Sequence, residues 1–280
     1  MGGTGHMGGA ILDLLAGSSH LANVGIQVQV LARDQEKAAR VTAKYTQVQP
    51  VVGVFANLDL IESTCRGVDI VINAGADITH DETIKAVLRG LQSREGEGSE
   101  MKPYFIHTSG AYLICDLREP GGTKSEKVWD DIEDSEQLVS MPDTAVHRVT
   151  DKLTLPTSRA AGPVGRGPCQ RGHPIASGRD RNQPLGRTPV PITMPALFQC
   201  VRAFHSAFVI GEGENAMGMI HVRDFARMYM VLVDNALATL TGSYNKTEPP
   251  FPVWGESAYY FASAVDTLYR RNWMTGIAPC

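Results

Sequence analysis

The stretch of sequence that decides the fold is GGTGHMGG, at residues 2–9. It satisfies both G-x-G-x-x-G and G-x-x-G-x-x-G, which are the glycine patterns of a loop that grips a pyrophosphate. One glycine permits the tight turn, one lets the backbone approach the phosphates, and one lets the next helix pack closely on a sheet. The helix N-terminus then stabilises the anion. The loop predicts a dinucleotide site formed by Gly2, Gly3, Thr4, Gly5, His6, Met7 and Gly8.

Strand and helix signals alternate through the first half of the chain. We predict strands at 26–32, 48–54, 68–74 and 104–108, with helices at 34–45, 58–65 and 82–91 between them. The run VDIVINA at 68–74 is typical of a strand buried on both faces. This alternation predicts an α/β fold with a Rossmann-type, doubly wound parallel sheet.

The position of the glycine loop predicts a defect in that sheet. A Rossmann sheet normally begins with a strand that the glycine loop follows, and Met1 stands where that strand would end. In the usual order this strand is central, so its loss leaves two neighbouring strands without a partner. We therefore expect a sheet that lacks its first strand, in a chain truncated at its N-terminus.

The second half is less regular. Helices are predicted at 142–155, 194–204 and 223–237, short strands at 208–211, 219–222 and 259–262, and the start of a helix at 269. These signals divide the chain into a nucleotide-binding domain at 1–155, an irregular segment at 156–188 and a small C-terminal α/β region on the substrate side at 189–280.

The segment at 156–188 differs in composition from the rest of the chain. It contains six arginines, six glycines, five prolines and a single acidic residue, Asp180. Such a stretch cannot bury enough apolar surface to offset the entropy of ordering it. Three interpretations stay open: a basic disordered arm, a solvated loop, and the product of a shifted reading frame or a mis-spliced exon.

Overall composition excludes several functional classes. A net charge of -4 gives no reason to expect a nucleic acid or an acidic membrane surface as a partner. The five cysteines are scattered without a Cys-x-x-Cys pair, which argues against a zinc site or a disulfide framework. No apolar run is long enough to cross a bilayer, and no signal peptide precedes the glycine loop. We expect a cytoplasmic protein with a small-molecule substrate, and the oligomeric state stays open.

Two strand ends carry further candidate ligands. Arg33 follows the strand at 26–32 and would pair with a 2′-phosphate, which favours NADP over NAD. The adjacent Asp34 could simply cap the next helix. Asn73, Ala74 and Gly75 end the strand at 68–74, where small residues leave room for a ligand.

Six motifs, in this order, resemble the short-chain dehydrogenase/reductase superfamily, in its atypical or extended branch. They are GGTGHMGG, LARDQEKA, VDIVINAGA, FIHTSG, VIGEGEN and MIHVRDFARMYM, and they are especially similar to fungal NmrA-like and nucleoside-diphosphate-sugar-epimerase-like proteins. The resemblance implies that Gly2, Gly5 and Gly8 bind the pyrophosphate of NADP or NAD. It also implies that Arg33 lies beside the adenosine ribose, that Ala74 and Gly75 line the cofactor channel, and that residues 219–224 flank the substrate.

The same resemblance places Ser109 at the catalytic serine position, where the hydroxyl orients the substrate. The superfamily's proton donor is the tyrosine of Tyr-x-x-x-Lys. Lys152 is present, but Arg148 stands four residues earlier, and arginine cannot perform acid–base chemistry near neutral pH. Tyr112 is a candidate substitute and His147 is another, although His147-Arg148 is more simply a polar helix face.

Three functional hypotheses follow. The first is an NADP-dependent oxidoreductase or epimerase-like enzyme, which Ser109 and the glycine loop favour. The second is a non-catalytic, NmrA-like regulator that senses NADP, which the missing tyrosine favours. The third is an inactive truncated product.

Overall fold

The fold was determined as a computed structural model, which describes residues 1–18, 25–75, 79–93, 103–116, 121–123, 125–160, 168–169, 193–206, 208–214, 216–243, 254–255, 257–263 and 265–268. Its α-helices are α1 (His6–Gly17), α2 (Gln35–Lys44), α3 (Leu58–Arg66), α4 (Asp81–Gln92), α5 (Ser135–Val139), α6 (Arg148–Ala160), α7 (Thr193–Phe204) and α8 (Val222–Leu240). Its strands are β1 (Val28–Ala32), β2 (Val48–Val52), β3 (Ile70–Asn73), β4 (Tyr104–His107), β5 (Pro168–Cys169), β6 (Ala216–Met219), β7 (Tyr260–Phe261) and β8 (Val265–Leu268). A short 3-10 helix covers Ala111–Ile114.

The N-terminal half forms two parallel pairs of strands, β1 with β2 and β3 with β4. The backbone of Met1 adds to the free side of β3: its amine donates to the carbonyl of Ile72, and its carbonyl accepts from the Ala74 N–H at 3.1 Å. This is the parallel ladder pattern, with Met1 opposite Asn73. The helices and parallel strands confirm the α/β, Rossmann-like class, and no described strand lies between β1 and β3.

A cavity of about 520 Å³ occupies the space between β1 and β3. The two strands line its sides with residues 28–31 and 70–72, while α1, α3 and α8 contribute apolar residues such as Leu12, Ile61 and Val233. Burial at this edge lowers the pKa of the Met1 amine from 8.0 to about 6. The cavity thus has the position of one strand in a sheet covered by helices on both faces.

The C-terminal region contributes to the same core. Helix α8 packs on α1, and their buried side chains include Ile11, Phe225, Tyr229 and Leu232. Tyr229 also brings its hydroxyl to the Oγ1 of Thr108, just beyond β4. The described helices include none that is long and apolar enough to span a membrane.

Several predicted elements differ in extent or kind. The predicted strand at 208–211 is wrong: Ile210 accepts a hydrogen bond from the Gly213 N–H, and Gly211 and Gly213 have φ angles of 51° and 68°, so the chain turns there. The helix predicted at 142–155 is α6, which begins at Arg148 and continues across the expected 155/156 boundary. Strand β8 was not predicted; it pairs antiparallel with β6. Most of 156–188 and all of 269–280 lie outside the described residues.

Candidate functional site

The glycine loop lies directly against the carboxyl end of β3. Gly2 has a φ of +79°, and a Cβ there would come within 2.7 Å of the Ala74 carbonyl oxygen. A Cβ on Gly8, in the first turn of α1, would overlap the Gly2 carbonyl. Both positions therefore require glycine, for backbone conformation at Gly2 and for close approach at Gly8.

The loop leads straight into a helix that can face an anion. The Gly5 N–H donates to the Gly2 carbonyl at 2.9 Å, and Gly5 is the N-cap residue of α1, which begins at His6. The first amides of a helix have no acceptor within that helix, so they are suited to phosphate oxygens. Gly5 is exposed and Thr4, His6 and Met7 are half-buried, so the outer side of the loop faces solvent. The arrangement fits a dinucleotide pyrophosphate.

The ends of β3 and β4 are joined by a buried polar pair. Asn73 and His107 are 0% and 1% exposed, and their Nδ2 and Nδ1 atoms are 2.8 Å apart. The Thr108 N–H and hydroxyl both donate to the Asn73 carbonyl at 2.9 Å. Asn73, predicted as a cofactor ligand, is thus engaged within the protein, while Gly75 is exposed at the crevice. These bonds hold the two strand ends in register.

Two charged residues follow β1, and the structure gives them different surroundings. Asp34 is the N-cap of α2: it accepts from the Lys37 N–H at 2.8 Å, and this bond holds the pKa of the carboxyl below its usual value. The capping interpretation of Asp34 is therefore confirmed. Arg33 is exposed immediately before that helix.

Ser109 lies in a second buried polar cluster. Its Oγ donates to Oδ2 of Asp151 on α6 at 3.0 Å, and the two residues are 6% and 1% exposed. The carboxyl group on α6 therefore contacts the predicted catalytic serine directly. Sequence reasoning missed Asp151 entirely. The available signal was its place in the helix predicted at 142–155, four residues after His147, a spacing that puts two residues on one face of a continuous helix. In the structure the helix begins one residue after His147, at Arg148.

The other predicted catalytic residues take no part in this hydrogen bond. Lys152 pairs with Asp143, and its side chain is 44% exposed. Tyr112 lies in the short 3-10 helix and is 46% exposed. Arg148 is 3% exposed, and its guanidinium donates to the carbonyls of Val139 and Met141. The expectation that Arg148 belongs to a polar helix face is wrong, because its guanidinium is buried and binds backbone carbonyls at and just beyond the end of α5.

Three comparisons place the chain among known proteins. Residues 1–90 match the saccharopine dehydrogenase NADP-binding domain family. The chain is 30% identical over 269 residues to the oxidase ucsJ of an Acremonium species, a match that covers 93% of this chain and 72% of that protein. The chain belongs to the family of this oxidase. The expectation of an NAD(P)-binding Rossmann domain is confirmed, with NAD(P) as the cofactor class.

Solved structures support the same fold at low sequence identity. The dTDP-glucose 4,6-dehydratase DesIV of Streptomyces venezuelae, solved with NAD bound, matches with a TM-score of 0.54 and 16% identity, covering 96% of this chain and 76% of that one. The UDP-glucose 4-epimerase of Bifidobacterium longum, solved with NAD+ and UDP, matches with a TM-score of 0.52 and 16% identity, covering 84% and 72%. These likenesses concern the fold alone.

Proposed function

We propose that this protein is an NADP-dependent oxidoreductase of the short-chain dehydrogenase/reductase type that acts on a small molecule. The observation that carries the proposal is the placement of two features at one edge of the parallel strands. The glycine loop packs on the carboxyl end of β3, and Ser109 follows β4, the strand paired with β3. Ligands of open α/β sheets bind at the carboxyl ends of the strands.

Different residues would bind the cofactor and orient the substrate. Gly2, Gly5 and Gly8 would hold the pyrophosphate, and Ala74 and Gly75 would border the channel. The cofactor would supply hydride transfer, and Ser109 would orient the reacting oxygen of the substrate. The family membership adds support, because the Acremonium relative is named an oxidase.

The preference for NADP rests on Arg33. An exposed guanidinium at the end of β1 can form paired hydrogen bonds with a 2′-phosphate, and NAD lacks that group. We expect the substitution Arg33→Ala to weaken NADPH binding about tenfold or more and to leave NADH binding nearly unchanged, as measured by nucleotide fluorescence. Arg40→Ala is the matched control, because Arg40 is exposed on α2 and pairs with Glu36. Equal losses for both nucleotides would refute the role of Arg33.

A second candidate, an NmrA-like sensor of NADP, is favoured by one observation. Arg148 occupies the position of the superfamily's tyrosine and is bound to backbone carbonyls. Titration with NADPH, followed by turnover assays of carbonyl compounds with NADPH and of alcohols with NADP+, separates the two functions. Binding with a change in absorbance of the reduced nicotinamide supports the enzyme. Binding without turnover of any compound supports the sensor, and the absence of binding refutes both.

A further inference from the structure

The backbone of β3 turns part of its hydrogen-bonding capacity toward the cavity between β1 and β3. In a parallel ladder, successive residues direct their N–H and C=O groups alternately to the two sides of the strand. The Asn73 carbonyl accepts from the Thr108 N–H at 2.9 Å on the β4 side, whereas the Ile72 carbonyl accepts from the Met1 amine on the other side. Ile70 and Ile72 therefore present their peptide groups to the cavity.

The edge of β1 faces the cavity in the same way. The Ala32 carbonyl accepts from the Gly53 N–H at 2.9 Å on the β2 side, so Gln29 and Leu31 direct their peptide groups to the opposite side. Both residues line the cavity, and no described strand lies between them and β3. An apolar compound in this space would leave the peptide groups of both edges unpaired, whereas an extended peptide supplies a donor and an acceptor at each residue.

Both faces of the cavity are apolar. Ile72 packs against the cluster of α1 and α8 that contains Ile11 and Leu232. Val71, its neighbour in the chain, packs in the cluster that contains Ile61 of α3. The side chains of an inserted strand would alternate between the same two layers. An occupant therefore needs apolar residues at successive positions, as in a strand that is buried on both faces.

The Met1 amine lies at one end of the cavity. Because Met1 is opposite Asn73 in parallel register, the last residue of a separate strand would lie opposite Ile72, next to this amine. Burial lowers the pKa of the amine to about 6. A free carboxylate on that last residue would favour the ammonium form and pair with it. The end of the cavity is therefore complementary in charge to the carboxyl end of a peptide.

We propose that this cavity, the strand slot, binds the apolar C-terminal tail of a partner protein as an extended strand parallel to β1 and β3. Five residues reach from the position opposite Ile72 to the position opposite Val68, which also lines the cavity. Their peptide groups pair alternately with β1 and β3, and their side chains enter the two apolar layers. The terminal carboxylate pairs with the Met1 amine.

The first test titrates this chain with the peptide acetyl-Lys-Lys-Val-Val-Ile-Val-Val, which has a free carboxylate and two lysines outside the slot for solubility. Calorimetry should show binding of one peptide per chain. Hydrogen exchange should slow more in residues 28–31 and 70–72 than in residues 48–52, which pair with the other side of β1. The absence of binding, or binding that does not protect both edges preferentially, overturns the proposal.

Two altered peptides distinguish a paired strand from simple filling of an apolar space. N-methyl groups on the second and fourth apolar residues keep the side chains but remove two backbone donors. They should weaken binding at least about 100-fold, because each buried acceptor left unpaired costs about tenfold in affinity. A C-terminal amide should weaken binding about tenfold, since it cannot form the ion pair with Met1. Equal affinity of the N-methylated peptide overturns strand pairing, and equal affinity of the amide overturns recognition of a carboxyl end.

The control protein carries Val-Val-Ile-Val-Val joined directly to Met1, so that the slot is filled from within the chain. It should bind the peptide at least about 100-fold more weakly than the original chain does. If it binds the peptide equally well, the peptide lies outside the slot and the proposal is wrong. None of these measurements needs a nucleotide, so their outcome is independent of the proposed function.

Discussion

A strand added in front of Met1 tests what the cavity between β1 and β3 costs this fold. Met1 already stands opposite Asn73 in parallel register, so a preceding residue would lie opposite Ile72 and the next opposite Val71. We choose the added segment Val-Val-Ile-Val-Val, because helices cover the cavity on both faces and favour apolar side chains at every position.

The expected gain follows from three terms. Burying five side chains at about 2 kcal/mol each contributes about 10 kcal/mol. About eight new backbone hydrogen bonds contribute about 8 kcal/mol. Ordering five residues with their side chains costs about 11 kcal/mol. The difference is roughly 7 kcal/mol, and because the burial term is an upper value, we expect Tm to rise by at least about 6 °C.

Thermal and urea unfolding of the extended protein provide the assay. The matched control is Thr-Ser-Asn-Ser-Gly before Met1, which has the same length but cannot fill an apolar layer. The apolar extension should raise Tm above both the original chain and this control. Equal Tm values for the two extensions would refute the interpretation of the cavity as a strand position, since length alone would then explain any gain.

Three further predictions follow from individual residues. Gly8→Ala should abolish NADPH binding and lower the free energy of unfolding by about 1–3 kcal/mol, because the added Cβ would overlap a carbonyl of the glycine loop. Gly17→Ala is the control, since a Cβ at Gly17 meets nothing within 4 Å. An equal effect of the two substitutions would contradict the argument. Burial lowers the pKa of the Met1 amine from its ordinary value of 8.0 to about 6 in the folded protein, so the unfolded chain binds more protons between pH 6 and 8. The free energy of unfolding should therefore increase by about 2–3 kcal/mol across that window, whereas N-terminally acetylated protein should show no such slope in urea titrations. Burial raises the pKa of the Cys65 thiol to about 11, so iodoacetamide at pH 8 should label the exposed Cys200 and spare Cys65 until the protein unfolds, as read by peptide mass spectrometry.

Local patterns were sufficient for the elements that carry strong periodicity. The strand predicted at 68–74 is β3, the helix at 82–91 is α4, and the cap at Asp34 is present, because each depends on neighbours within a few residues. The segment 208–211 was mistaken for a strand because three apolar residues precede glycines whose positive φ angles end the extension. Strand β8 has a weak signal of its own and forms by pairing with β6, which lies about 50 residues earlier in the chain.

The sequence by itself determined the α/β class, the glycine loop and its cofactor class, since these depend on residue type and short spacing. It could not determine the rotation of α6, because a shift of one residue turns a helix by about 100° and only packing against the strand ends selects the face. Tertiary structure alone brought Asp151 to Ser109 and His147 to Gly110, across 42 residues in the first case. It also placed Lys152 with Asp143 at the surface, which no spacing within the chain specifies.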